Sequence, residues 1–372
     1  MNKTPRILIV TAAFGEGHNS AARNLGLALD AAGAVTQVGD PCLQGAPAFT
    51  SMLSRAYRMV TTRLPRVWYW IYCSTDRCDF SKRQSPVMRF PERALGRMID
   101  QFKPDAIVST YPLYPYFLKR IRQGVDGKLP MFTVVTDSIE INAAWLRAPS
   151  DWWLVTDGKT RQLMSATVDI DKIIDTGFPV HPIFAQQEAV AEDDACSPFR
   201  VLYFPTAQKS LLGSHGEALL DASPDVHLTI VMGRNVRRLY ARAKALKDAY
   251  PGRVRLIGWT RRVPQLLGRH HLVVGKAGGA TVHEAIAASC PMLIHHLVPG
   301  QEEGNLKLLE SIGGGALADS PAKMRAKVSQ LLANQAAAWR EMKRGLAQHD
   351  RKAGGMVAAR FILEELAKRD AH

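Results

Sequence analysis

The sequence has no apolar run approaching the ~20 residues that a spanning helix needs, so no helix of its 372 residues is expected to cross a bilayer. Cysteine is scarce. Cys42, Cys73, Cys78, Cys196 and Cys290 are odd in number and irregularly spaced. That argues against a disulfide framework or a zinc site and for reduced thiols. Acidic residues are in deficit, 34 against 48 lysines and arginines, leaving a net charge of +14. Such an excess suits a polyanionic partner: nucleic acid, an anionic membrane face or nucleotide phosphates. No nucleic-acid module is recognisable, no internal repeat of fixed period occurs, and no Gly-Lys-Ser/Thr triplet closes a P-loop. Residues 1–6 run into a strand-like stretch without a signal-peptide layout, which points to a cytoplasmic chain. Apolar residues at 47% and charged residues at 22% are ordinary globular usage, against long disorder, collagen or coiled coil. The length suits about two domains.

What is present is alternation. Residues 7–10 (ILIV) form a short apolar run of the kind buried in parallel sheets. A glycine-containing turn follows at 14–20, then a helical pattern over 21–32 closed by Gly33. Further strand candidates fall at 35–38, 106–109, 132–136, 153–155 and 172–175. The acidic, aperiodic stretch 186–198 reads as a linker. Alternation then restarts, with strands expected at 201–204, 227–232, 253–257, 272–274, 292–294 and 316–317, and only helix beyond about 321. Short strands alternating with helices predict an α/β chain with parallel sheets in both halves.

The segment 55–103 breaks this rhythm. It holds eleven lysines and arginines against four acids, half the excess of the whole chain. Trp68, Tyr69, Trp70 and Tyr72 sit in its middle. Rings flanked by cations suit a membrane interface; a helical excursion with its rings in the core is the other reading.

Two regions carry chemistry. In Gly15-Glu16-Gly17-His18 a loop leads from strand to helix, where a neutral imidazole could take a proton from a hydroxyl near pH 7. A dinucleotide fingerprint would need glycine where Ser20 stands, although Asp40 could serve as its ribose-binding acid. In the second half, Gly275-Lys276-Ala277-Gly278-Gly279-Ala280-Thr281 runs from strand into helix, a cradle for phosphate. Glu284 lies one turn on, where a carboxylate can meet a ribose diol. The stretch 299–305 (PGQEEGN) places donors and acceptors at a strand end, as a sugar requires.

Taken together, GEGHNSAARNL (15–25), PDAIVSTYPL (104–113), TVVTD (133–137) with Trp145, DTGFPVHPIF (175–184), VMGRN (231–235), KAGGATVHEAI (276–286) and PGQEEGN resemble the monogalactosyldiacylglycerol synthase and processive diacylglycerol glucosyltransferase family. More distantly they resemble the peptidoglycan lipid-intermediate N-acetylglucosaminyltransferase. The resemblance implies an α/β GT-B fold, two Rossmann-like domains facing across a cleft. The expected parts are an acceptor and membrane domain at 1–185, the linker, a UDP-sugar domain at 199–345, and a helix within 346–372 crossing back to the first domain. It also implies inverting, metal-independent hexose transfer from a UDP-sugar to a lipid hydroxyl at the inner face of the membrane, with no cofactor.

By position, His18 would be the base, with Asp137 as second candidate or as the group orienting His18. Gly278, Gly279, Ala280 and Thr281 would hold the diphosphate and Glu284 the ribose. Gln301 and Glu302 would contact the hexose, and Asn305 would support that loop or the phosphate. Gly233, Arg234 and Asn235 would lie near the nucleotide. Gly17, Arg63, Arg66, Trp68 and Trp70 would meet the acceptor and an anionic membrane surface. Two departures stand out. The first turn of the second half, 204–210 (FPTAQKS), lacks the family's glycines, and Thr206, Gln208 or Lys209 could substitute. Asn142 replaces a histidine and cannot exchange protons near neutral pH. Two other readings stay open: a UDP-sugar glycosyltransferase acting on another lipid-linked or a soluble acceptor, and a nicotinamide-dependent oxidoreductase using the first loop and Asp40. Nucleic acid is not an expected partner, and the sugar, the acceptor lipid and the oligomeric state are not legible.

Overall fold

The computed structural model describes residues 4–76, 86–122, 129–194, 196–206, 208–300 and 302–370. The chain divides into two compact units. The first comprises Met1–Pro182, Val298–Gly304 and Ala353–His372; the second comprises Ile183–Leu297 and Asn305–Lys352.

The first unit is built on β1 (Arg6–Val10), β2 (Val35–Gly39), β3 (Ala106–Ser109), β4 (Met131–Val134), β5 (Trp152–Val155) and β6 (Ile173–Asp175). They form one parallel sheet in the order β2-β1-β3-β4-β5-β6. Ile7, Leu8, Ile9 and Val10 are all fully buried, as an apolar strand covered on both faces must be. One face packs on Leu25 and Leu29 of the helix Glu16–Ala31. The same cluster takes in Ala358, Ala359 and Ile362 of the final helix, Gly354–Asp370. The other face packs on Leu95, Met98 and Phe102 of the helix Arg89–Phe102.

The second unit repeats the plan with β7 (Phe199–Tyr203), β8 (Val226–Val231), β9 (Val254–Ile257), β10 (Leu272–Lys276), β11 (Met292–His296) and β12 (Gly315–Leu317). The order is β12-β11-β10-β7-β8-β9, again all parallel. Counted from its own first strand this is the 3-2-1-4-5-6 Rossmann order. The helical stretch Pro321–His349 breaks at Ala333–Ala336, and beyond the break Trp339 enters the core of this unit. Both units are thus α/β and Rossmann-like, the composition of the expected GT-B fold. In each sheet the strand order reverses beside its first strand, and in open α/β sheets ligands bind at the carboxyl ends of the strands at that point.

Candidate active site

In the first unit the relevant strand ends are those of β1, β3 and β4. The helix after β1 starts at Glu16, five residues earlier than the periodicity predicts, with Gly15 as its N-cap. Gly17 and His18 therefore lie in its first turn and not in a loop. Helical dihedrals suit glycine as well as any others, so two glycines alone do not mark a loop. The positive end of the helix dipole then adjoins the imidazole and disfavours its charged form.

Three elements hold His18. Nδ1 meets Thr136 Oγ1 at 2.9 Å. Its backbone carbonyl accepts from Thr110 Oγ1 at 3.1 Å. Tyr111 packs edge-on against the ring, with centroids 5.2 Å apart, and Trp145 lies at 6.0 Å. Burial lowers the imidazole pKa to about 4, a hydrogen bond of the ring with the Thr110 backbone acting the other way. The ring is therefore neutral at pH 7, with a lone pair available.

Asp137 does not hold the imidazole; Thr136, two residues beyond β4, does. Asp137 Oδ2 instead accepts from Trp145 Nε1 at 2.8 Å. Burial raises its carboxyl to about 6, partly offset by that bond. Trp145 thus touches both His18 and Asp137. It sits on the short helix Ala143–Leu146, whose N-cap is Asn142, accepting from Ala144 N at 3.0 Å. The residue that replaces the family's histidine therefore builds the turn that carries Trp145. Sequence reading did not single out Thr136. Its signal was its place just past a buried strand, next to Asp137.

Asp40 is fully engaged. Its oxygens accept from Leu43 N and Ala13 N, each at 2.9 Å, and from the Tyr114 hydroxyl at 3.3 Å. It caps the helix Pro41–Gly45. A carboxylate so occupied has a structural role of its own, which weakens the main support for a nicotinamide enzyme.

The basic segment divides between both of its readings. Trp70 is 71% exposed and Tyr69 49%. Met52, Met59 and Val67 are exposed on the same pair of helices, Pro47–Arg63 and Pro65–Asp76, and Leu64 is exposed between them. Arg66 is exposed beside them. Trp68 instead turns inward, half-buried and edge-on to Tyr57 at 4.9 Å. The side chain of Arg63, and Arg77, Lys82 and Arg83, lie outside the described residues. So many exposed apolar side chains on one segment are the mark of an interaction surface.

The loop Val298–Gly304 belongs to this unit. A Cβ on Gly304 would overlap the Ser138 carbonyl oxygen, so only glycine allows this approach. Glu302 is buried, and its Oε2 accepts from Val298 N at 3.1 Å. Its carboxylate thus braces its own loop. Gln301 lies outside the described residues.

In the second unit the helix Gly279–Ala287 follows β10, with Gly278 as N-cap. Gly279, Ala280 and Thr281 form its half-buried first turn, and Glu284 is half-buried one turn on. Free N–H groups of that turn present a positive end to an anion. Asn305 is buried and donates through Nδ2 to Ala277 O at 2.9 Å, so it supports the cradle from below. Gly233-Arg234-Asn235 forms a 3-10 turn at the end of β8. Gly233 has φ 56°, a left-handed conformation natural to glycine. In the turn after β7, Gln208 N reaches Thr206 Oγ1 at 3.5 Å, and the Phe204 carbonyl meets His295 Nε2 at 3.3 Å.

Among the described residues, one cluster has metal-ligand spacing: Asp194, Cys196 and His271. It is satisfied without an ion. His271 Nδ1 accepts from Arg200 N at 2.9 Å, which leaves Nε2 to face Asp194 Oδ1 at 2.7 Å. The Arg200 guanidinium also approaches both.

Comparison with known proteins bears on the same elements. The family profile described as Monogalactosyldiacylglycerol (MGDG) synthase matches residues 18–180, which include His18, Thr136, Asp137 and Trp145. The chain resembles that family. A processive diacylglycerol beta-glucosyltransferase of Bacillus cereus (strain AH187) is 24% identical over 343 residues, 89% of this chain and 87% of that protein. Among solved structures, Acinetobacter baumannii MurG superposes with a TM-score of 0.61 at 15% identity, covering 97% of this chain and all of that one. LpCGTa in complex with UDP gives 0.63 at 14% identity, with 99% of each chain covered. These likenesses extend through both units and show the GT-B fold.

Proposed function

We propose that this protein is a lipid glycosyltransferase that moves a hexose from a UDP-sugar to the hydroxyl of a membrane lipid, diacylglycerol above all. The observation that carries this reading is the His18 pocket: a neutral imidazole fixed by Thr136 and walled by Tyr111 and Trp145, inside the region matched by the family profile. Support for the acceptor comes from the relatives, which are named for diacylglycerol, and from the exposed aromatic and basic helices. Support for the donor comes from the Gly278–Thr281 cradle and from a structural neighbour that holds UDP.

In this mechanism the hydroxyl attacks the anomeric carbon from the face opposite UDP, inverting the configuration. His18 Nε2 receives the hydroxyl proton. The helix N-terminus at Gly278 stabilises the charge growing on the departing UDP, the part a metal ion plays in other transferases, so no metal or further cofactor is assigned. Asp137 stabilises the imidazolium as it forms. Trp70, Arg66 and their neighbours hold the protein on an anionic surface at the cytoplasmic side of the membrane.

Three tests follow. Glu284→Ala should weaken UDP binding by ~10-fold or more in calorimetry, the scale of a lost hydrogen bond to a charged group; unchanged affinity would take the ribose away from Glu284. The rate should rise with pH through a limb near 6, where Asp137 loses its proton and gains its charge. Asp137→Asn keeps an acceptor for Trp145 but should abolish that limb and cut the rate above pH 7 by ~10-fold. A limb persisting near 6 in the variant would belong to another group. Lastly, Trp70→Ala with Arg66→Glu should abolish sedimentation with phosphatidylglycerol vesicles at low salt and leave UDP binding intact. Equal sedimentation of variant and wild type would clear these helices of a membrane role and favour a soluble acceptor.

A further inference from the structure

The amino ends of the strands in the second unit carry a feature that this reaction does not use. A cavity of about 400 Å³ opens there, large enough for a small-molecule site. His227 lies at the start of β8, Arg253 just before β9, and Arg269 and His270 just before β10. It is the edge of the sheet opposite to Gly233–Asn235 and Gly278–Thr281, which follow the carboxyl ends of β8 and β10.

Five arginines line the cavity: Arg200, Arg253, Arg255, Arg262 and Arg269. No carboxylate lines it among the described residues. Two of the five are fixed by the backbone. Arg253 Nη1 donates to the carbonyls of Leu220, Ser223 and Pro224 at 3.0–3.2 Å. Arg200 Nε donates to Arg269 O at 2.8 Å. The other three, Arg255, Arg262 and Arg269, are exposed, and their guanidinium groups form no hydrogen bond or ion pair among the described residues. His270, buried in the wall between Leu266 O and Thr229 Oγ1, feels the same field. Burial comes first in lowering its pKa to about 4, and the charges of Arg200 and Arg255 add to it.

Arg200 pairs with Asp194 at 3.5 Å; the other four like charges around one concavity repel one another, and a single monoanion would leave most of that repulsion in place. Guanidinium groups match phosphate oxygens in paired hydrogen bonds. Among the described residues the lining holds no Phe, Tyr or Trp; its rings are the imidazoles of His227 and the buried His270. It therefore lacks the interfacial Trp and Tyr of a lipid-facing surface. We infer that this cavity binds a soluble chain of two or more phosphoryl groups, at a site separate from the donor cradle.

The test is calorimetry of the full chain with inorganic tripolyphosphate at low salt, with and without saturating UDP. One tripolyphosphate should bind per chain, unaffected by UDP, and should weaken as salt rises. Arg262→Ala with Arg269→Ala should reduce that affinity at least ~10-fold, with melting temperature and UDP affinity unchanged. Arg255→Ala, made alone, should weaken it in the same direction. Three results would each overturn the inference. Tripolyphosphate could compete with UDP, its affinity could be unchanged in the variants, or it could fail to bind while phosphatidylglycerol vesicles bind through these arginines.

Discussion

Replacing His18 with alanine is expected to lower turnover by ~10²–10⁴-fold while UDP affinity stays within about twofold, the span typical of a lost general base. The split follows from geometry. His18 belongs to the first unit and the proposed donor-binding turn Gly278–Thr281 to the second, so on the proposed mechanism the substitution removes the proton acceptor and leaves that turn intact. The imidazole is useful because it is neutral. Burial, aided by the dipole of its own helix, holds its pKa near 4, and the lone pair is present at any pH where the enzyme would work. A base of such low ground-state pKa needs its cation stabilised as it forms. Thr136 can accept from Nδ1–H, and Asp137 supplies negative charge nearby. Thr136→Val, which removes only the hydroxyl, should therefore fall between wild type and His18→Ala, by ~10-fold. Turnover unchanged in His18→Ala would exclude the histidine from proton transfer and leave Asp137 as the remaining candidate.

Trp339→Ala should be the most damaging single change to the second unit, costing about 3–5 kcal/mol of stability. The indole is fully buried in the main core cluster of that unit. It contacts Phe199 of β7 and the His271 ring, and its Nε1 donates to His271 O at 2.7 Å. Lys343, itself buried, places its ammonium 5.8 Å from the ring centroid and donates to Ser289 O. Removing the indole opens a cavity, orphans the His271 carbonyl and exposes Lys343 to an apolar void. Trp339→Phe should keep most of the packing and lose the hydrogen bond, at a cost of about 1–2 kcal/mol. Urea denaturation of the three proteins separates these effects. A loss under 1 kcal/mol in Trp339→Ala would mean that the helix beyond the break at Ala333–Ala336 adds little to this core.

The strands were legible because a parallel strand buried on both faces is nearly pure Val, Ile and Leu, as in ILIV at 7–10. Both sheets follow from that pattern together with the regular alternation. The glycine signals were more ambiguous. Gly278 does cap a helix, as glycines after a strand suggest, but Gly15 and Gly17 mark a helix start where a loop was the natural reading. Residue type suggested the chemistry of His18 and Asp137 but not their contacts. Whether Asp137 or Thr136 faces the imidazole depends on where β4 ends, and that strand stops at Val134, two residues short of the apolar pattern. Asp40 shows the same limit. A carboxylate after a second strand looks like a ribose ligand until its partners, Leu43 N, Ala13 N and Tyr114, are seen. In the 55–103 segment, Trp68 and Trp70 share a helix and a composition. Only packing tells the inward ring from the exposed one.

The central claim, hexose transfer to a lipid hydroxyl, is tested most directly by its product. The purified protein would be incubated with anionic vesicles containing diacylglycerol and a panel of UDP-sugars, and the lipids read by mass spectrometry. The expected product is a new glycolipid one hexose heavier than diacylglycerol, formed in proportion to UDP released and absent with His18→Ala. UDP released only with a soluble acceptor, or no binding of UDP at all, would contradict it.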